Sequence, residues 1–292
     1  MDKSKVLITG SNGLLGQQLR QKLSSNFFVI ATGIGPDTSK FKSDKYVEMD
    51  VSSFDQCQKV LYKYAPSVII NAAAMTNVDD CERIQKRCYN INLNSANNFL
   101  PYLVEKKPHF IHVSTDFVFN GCKGSYIEED KPDPINYYGF CKLQYEKIIL
   151  KHCVNYTIIR TSLIYGLNDD RYNFLNWVKE NLIKNIKMNI VSDQFRTPTF
   201  VNDLALVIND ILYMKKYGVF HISSGEKLSI FDFVCNIARH YGLNDDLVKK
   251  TNSTSFNQFA KRPLDTSLNI DKAINILKFK PTKLTNALTK IS

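Results

Sequence analysis

The stretch Gly10-Ser-Asn-Gly13-Leu-Leu-Gly16 follows directly on a short apolar run, Lys5-Val-Leu-Ile-Thr9, and leads into leucines at positions 15, 19 and 23. The run reads as a buried strand and the i, i+4 leucines as a helix. Three glycines at that junction constrain the fold strongly. One permits the tight turn, another lets backbone approach a pyrophosphate, and the third lets the helix lie close to the strand. The helix N-terminus adds unpaired N–H groups and the positive end of a dipole. The spacing is GxxGxxG rather than the GxGxxG of most dehydrogenases. At a first strand–helix turn it points to dinucleotide binding.

The alternation continues. Phe27–Thr32, Tyr46–Val51, Ser67–Ala73, Phe110–Thr115 and Tyr156–Thr161 read as further strands, and residues 86–106 and 138–152 as helices. Ser52 and Ser53 offer N-caps to a helix carrying Val60 and Leu61. Such a rhythm predicts a parallel sheet covered on both faces. The expected class is α/β, a Rossmann-type doubly wound parallel sheet with a smaller C-terminal substrate-binding domain. After Gly166 the rhythm loosens. Strands are expected at Met188–Val191 and Val219–Ser223, and helices at 171–184, 201–214, 229–241 and near Ala273. Residues 1–165, with part of 200–223, form the expected nucleotide-binding domain. Residues 166–200 and 224–292 form the substrate-binding part.

Composition narrows the class. The 292 residues are 44% hydrophobic and 23% charged, an ordinary globular balance. No apolar run reaches the roughly 18 residues of a membrane span, and the N-terminus lacks a signal-peptide pattern. Seven cysteines, an odd number without CxxC spacing, predict reduced thiols and a cytoplasmic location. The five histidines form no HxxxH or HExxH pair, so no metal site is expected. A net charge of +10 without a long basic block does not indicate nucleic-acid binding and suits an anionic small ligand.

Tyr137-Tyr138-Gly-Phe-Cys-Lys142 carries the candidate chemistry. Only Tyr138 lies four residues before Lys142, so on a helix these two share a face. A free phenol titrates near pH 10, too high for efficient proton transfer near neutrality. An ammonium one turn away is expected to lower it. Thr115, at the C-terminal end of the fifth strand, faces the ligand crevice and would hold the substrate oxygen beside the phenol. No acid occupies Ala31–Gly35, and Lys40, Lys42 and Lys45 follow, which favours NADPH over NADH. Asp50 serves equally as an acceptor for the adenine amino group or as helix-dipole compensation.

With these residues in hand, the chain resembles the extended short-chain dehydrogenase/reductase superfamily, and within it the dTDP-4-dehydrorhamnose reductase family. The matching stretches are Leu7–Gly16, Asn71–Asp79, Ser114–Gly121, Tyr138–Lys142, Arg160–Gly166, Asp193–Thr199 and Lys261-Arg-Pro263, in family order. The resemblance implies NAD(P)H-dependent reduction of a 4-keto-6-deoxy nucleotide-diphosphate sugar, with Thr115, Tyr138 and Lys142 catalytic. It implies cofactor contacts at Gly10, Asn12, Gly13, Leu14, Leu15, Gly16, Asp50, Val51, Ala72, Ala73 and Ala74, besides Tyr138 and Lys142. Substrate contacts are implied at Thr76, Thr115, Asp116, Phe117, Arg196 and Arg262, the two arginines clamping the diphosphate. Leu163 stands where many members carry tryptophan, and Arg196 where many carry glycine. A homodimer is the assembly considered. Two rival readings stay open: a non-catalytic cofactor-binding subunit like the beta subunit of methionine adenosyltransferase, and an epimerase. A dehydratase is disfavoured, because Phe117 follows Asp116 where Asp-Glu would be expected beside the threonine.

Overall fold

The computed structural model describes residues 3–166, 173–255 and 258–291. The first strand, β1 (Lys5–Thr9), enters the glycine turn and α1 (Leu14–Leu23). Then follow β2 (Phe28–Gly33), β3 (Lys45–Glu48), α2 (Phe54–Tyr64) and β4 (Val68–Asn71). Ser53 caps α2 by accepting from Gln56 N, and Ala65 ends it in the left-handed region at φ 46°. Next come α3 (Val78–Arg83), α4 (Gln85–Tyr89), a π-helical turn and α5 (Ser95–Lys106). β5 (His109–Thr115), α6 (Tyr137–His152) and β6 (Tyr156–Thr161) complete the N-terminal run.

Beyond it lie β7 (Ile164–Tyr165), α7 (Phe174–Ile183), β8 (Met188–Val191), β9 (Phe195–Arg196), β10 (Thr199–Phe200), α8 (Val201–Met214) and β11 (Gly218–Ile222). The remaining elements are β12 (Leu228–Ser229), α9 (Ile230–His240), β13 (Val248–Thr251), α10 (Asp271–Leu277) and α11 (Leu284–Lys290). The expected helix at 171–184 begins outside the described residues. Sequence reasoning did not find α3, α11, the π-helical turn or the short strands β7, β9, β10, β12 and β13.

Seven strands form one parallel sheet in the order β11-β6-β5-β4-β1-β2-β3. The order reverses between β1 and β4, and crevices at such a switch point take ligands in open α/β sheets. Strand alternation divides the core. Val6 and Ile8 face α1, α8 and α10, whereas Leu7 and Ile69 face α2 and α5. Ala273 and Leu277 of α10 join the first of these faces. A third apolar cluster gathers α7, α9, β8, β13 and α11.

Candidate active site

Three glycines shape the turn after β1 as expected. Gly10 adopts φ +64°, and a Cβ there would stand 2.9 Å from the backbone of Ala73. A Cβ on Gly16 would lie 2.3 Å from Gly10 O, so α1 packs against its own entry loop. Gly13 is the N-cap residue of α1, and no side chain caps that end. The Ser11 hydroxyl is buried and has no hydrogen-bond partner among the described residues. A cradle of amide groups with an orphan hydroxyl beside it fits a phosphate.

Around this cradle the expected cofactor residues play unequal parts. Asn12 braces the β2 exit, its Nδ2 donating to Pro36 O (3.0 Å) and its Oδ1 accepting from Thr38 N (3.3 Å). Leu15 is buried in the core. Val51 is buried, and its carbonyl accepts from Asn98 Nδ2 (2.8 Å). Ala72, Ala73 and Ala74 leave the end of β4 partly exposed, with Ala73 N donating to Thr9 Oγ1 (3.1 Å). Asp50 Oδ1 accepts from Ser52 N (2.8 Å) and Ser52 Oγ (2.7 Å). The lysine argument for NADPH fails. Lys40 and Lys42 line a hollow with Gln21 and Ser24 at the far end of α1, and Lys45 begins β3 away from the crevice. An acid does reach the exit of β2, because Glu48 Oε1 accepts from Gly35 N (3.1 Å).

α6 starts at Tyr137 because Asn136 caps it, Oδ1 accepting from Gly139 N (2.8 Å). Tyr137 is therefore already helical and lies about 100° around the axis from Tyr138. Its ring stacks on Phe140, whereas Tyr138 meets Phe117 edge-on at 6.3 Å. Thr115 ends β5, accepts from Phe117 N (3.2 Å) and stands beside Tyr138. Burial pushes the Tyr138 phenol well above its ordinary value, and the neighbouring Thr115 hydroxyl works in the opposite sense. The expected lowering by Lys142 does not hold. Desolvation prevails, and the lysine points into the sheet, its Nζ donating to Val113 O (2.6 Å) and lying 3.0 Å from His112 Nε2. Burial draws Lys142 down to about 8, and the Glu146 carboxylate raises it.

The arginine clamp needs correction. Arg196 is buried. Its Nη1 donates to Phe195 O (2.6 Å) and Leu264 O (3.2 Å), its Nη2 to Pro263 O (2.8 Å), and its Nε lies 3.7 Å from Asp116 Oδ2. A guanidinium so engaged has no fork left for a diphosphate. Asp116 is equally committed. Its carboxylate accepts from Thr115 Oγ1 (3.2 Å), Ser162 Oγ (2.8 Å) and Thr266 Oγ1, so it ties strands together rather than meeting a substrate. Arg262 lies nearer the surface, paired with Asp79 Oδ1 at 2.9 Å. Thr76, just before α3, is exposed, and Phe117 is partly so. Among the described residues no group of three His, Cys, Asp or Glu side chains is placed to hold a metal.

This arrangement recurs in known proteins. The model of the RmlD substrate binding domain matches residues 4–292. The chain belongs to the RmlD substrate binding domain family. The dTDP-4-dehydrorhamnose reductase of Aggregatibacter actinomycetemcomitans is 30% identical, covering 99% of this chain and 98% of that one. A crystal structure of dTDP-4-dehydrorhamnose reductase from Bacillus anthracis in complex with NADP superposes with a TM-score of 0.87 at 27% identity, covering 100% and 99% of the two chains. Methionine adenosyltransferase 2 subunit beta of Bos taurus is 26% identical over 82% of this chain and 72% of that one.

Within this RmlD family scaffold, sequence reasoning missed one polar seam. His112 and Ser114 alternate on the face of β5 that α6 covers. His112 meets Lys142, and Ser114 Oγ donates to Glu146 Oε1. Two residues of strand advance roughly 6.6 Å and four residues of helix roughly 6 Å, so the contacts stay in step. Glu146 is fully buried and paired with Arg160 Nη2 at 2.8 Å. The signal was available: Tyr138, Lys142 and Glu146 form an i, i+4, i+8 series, and His112 and Ser114 form an i, i+2 polar pair in β5.

Proposed function

We propose that this chain uses NADPH to reduce the 4-keto group of a nucleotide-diphosphate-linked 4-keto-6-deoxy sugar, with dTDP-4-dehydrorhamnose as the leading substrate. One observation carries the reading: Tyr138 stands beside Thr115 and Phe117 at the C-terminal end of β5, at the end of the sheet where the glycine turn opens, in a chain matched end to end by reductases of this name. The residues fit the cofactor. The α1 N-terminus and the Ser11 hydroxyl suit its pyrophosphate, with Gly10, Asn12, Gly13, Leu14, Leu15 and Gly16 around them. Asp50 and Val51 would flank the adenine side, and Ala72, Ala73 and Ala74 the floor of the crevice. NADPH, when bound, supplies the hydride for the sugar C4.

The remaining chemistry belongs to the chain. Tyr138 Oη holds the proton that the ketone oxygen receives, and the raised phenol keeps that proton in place until charge develops on the oxygen. Thr115, whose hydroxyl hydrogen is held by Asp116 in the free protein, would turn it to the same oxygen when substrate binds. Lys142, held beneath the crevice floor by His112 and the Val113 carbonyl, would offer its remaining hydrogen to the cofactor ribose. Thr76, Phe117 and Arg262 would meet the nucleotide sugar. All seven cysteines are free, in keeping with the cytoplasmic location we assign. No helix among the described residues is long and apolar enough to cross a membrane. The test is NADPH consumption with dTDP-4-dehydrorhamnose. Turnover establishes the reductase, and NADPH binding without turnover on any 4-keto sugar supports the regulatory-subunit reading instead.

A further inference from the structure

Building on the reductase reading, we propose that His112 is a positioning residue: its Nε2 accepts a hydrogen bond from the Lys142 ammonium and holds that side chain under the cofactor crevice. Lys142 and His112 are both buried, at 2% and 1% exposure. The 2.6 Å contact from Nζ to Val113 O lies at the short end for a charge-assisted bond. An ammonium only donates. Nε2, 3.0 Å away, must therefore carry the lone pair, and Nδ1 the hydrogen. Nδ1 lies 3.2 Å from the side-chain amide of Asn71. In the structure its Nδ2 faces His112 Nδ1 and Tyr145 Oη (3.0 Å), and its Oδ1 accepts from Thr9 Oγ1 (2.7 Å). The two ends of an amide are told apart only by their partners, and an Nδ1–H requires this amide turned over, with Oδ1 toward His112 and Nδ2 donating to Thr9 Oγ1. The ring is fixed from below by Tyr145, stacked at 4.0 Å and 10°.

A buried ammonium needs an acceptor for each hydrogen it turns away from water. The groups facing Lys142 are few. From α6 come Glu146, Cys141 and the Tyr145 ring at 6.0 Å, from α4 comes Cys88, and from β5 comes His112. Glu146 is already engaged by Arg160 and Ser114. That leaves the Val113 carbonyl and His112 as the direct acceptors, with the third hydrogen available to a ligand such as a cofactor ribose. Charge agrees with this geometry: burial first, and then the Lys142 charge, hold His112 neutral, far below the usual histidine range.

Two substitutions separate positioning from packing. In His112→Gln, Oε1 can reach the place of Nε2 and keep the bond to Lys142. In His112→Asn, the amide reaches only as far as Nδ1 and loses it. NADPH affinity is read by fluorescence across the alkaline range, with thermal unfolding measured alongside. Wild-type binding should weaken as Lys142 loses its proton, near the value of about 8 to which burial draws it. H112N should move that midpoint down by about one pH unit and weaken NADPH binding at the wild-type midpoint about fivefold, with H112Q keeping the wild-type midpoint. Coincident midpoints in H112N and wild type overturn the proposal, and so does an equal shift in both variants. Ring nitrogen shifts of the wild-type protein give a second test that needs no variant. A hydrogen on Nδ1 and a lone pair on Nε2 are expected, and the opposite tautomer overturns the assignment. Midpoints that separate as expected, in a protein inactive on every keto sugar, would defeat the reductase reading and leave this one standing.

Discussion

At the scale of single residues, neighbours in sequence have different work. Tyr138→Phe removes the proton donor and little volume, so folding and NADPH affinity should persist while turnover drops by roughly 10²–10⁴-fold. Tyr137→Phe should stay within about tenfold of wild type, because its ring packs on Phe140 away from Thr115. Steady-state kinetics on the pair decide it, and a dead Tyr137→Phe would reverse the assignment. Arg196 shows where residue-level reading failed. From sequence it was an anion clamp; in the fold its guanidinium faces Asp116 and three carbonyls. Arg196→Ala should therefore cost about 3–5 kcal/mol of stability, the usual result of leaving one member of a buried pair alone. Urea unfolding measures this. A loss under about 1 kcal/mol with a raised KM for the nucleotide sugar would restore the clamp. A lone arginine in sequence does not reveal whether it will be buried, so this could not be foreseen.

At the scale of elements, the start of α6 joins the chemistry to the C-terminal segment. Asn136 caps the helix through Oδ1, while its Nδ2 donates to Lys261 O at 3.0 Å. The same segment is tied to α3, where Asp79 Oδ1 accepts from Ala260 N and pairs with Arg262. Asn136→Asp keeps an acceptor for Gly139 N and suits the helix dipole, but turns a carboxylate toward the Lys261 carbonyl. Melting temperature should change little while KM for the nucleotide sugar rises several-fold. Asn136→Ala should lose about 1 kcal/mol as well. Equal KM values in wild type and Asn136→Asp would show that the segment does not answer to the helix cap. Long periodic elements such as α1, α8 and α9 were legible because apolar spacing alone defines them. β7, β9, β10 and β12 were not, since two-residue strands have no period to detect and form only when distant segments meet.

At the scale of the whole molecule, buried histidines should set the acid limit. His109 Nε2 lies 2.8 Å from Thr157 Oγ1, which itself donates to Lys216 O, so Nε2 carries the hydrogen of a neutral ring. Burial draws His109 down to about 4 and His221 to about 3, from an ordinary 6.5. The folded state thus refuses a proton that the unfolded chain accepts. Stability from this source is complete above about pH 6.5 and is lost as pH falls toward 4. Between neutrality and about pH 4.5, His109→Gln should lose about 2–3 kcal/mol less than wild type in urea unfolding. Equal losses would assign acid sensitivity to other groups. The parallel sheet was readable at this scale, and part of 200–223 was assigned to the same domain, but no local pattern fixed β11 as the partner of β6. That pairing also has a consequence in time. β6 is flanked by β5 and β11, and residues 162–217 must be synthesised before β11 emerges. At the usual roughly 5–20 residues per second, a ribosome-bound chain carries an open β6 edge for several seconds. An unpaired edge is a template for mispairing, so synthesis stalled in this interval should yield aggregates that synthesis past Ile222 does not.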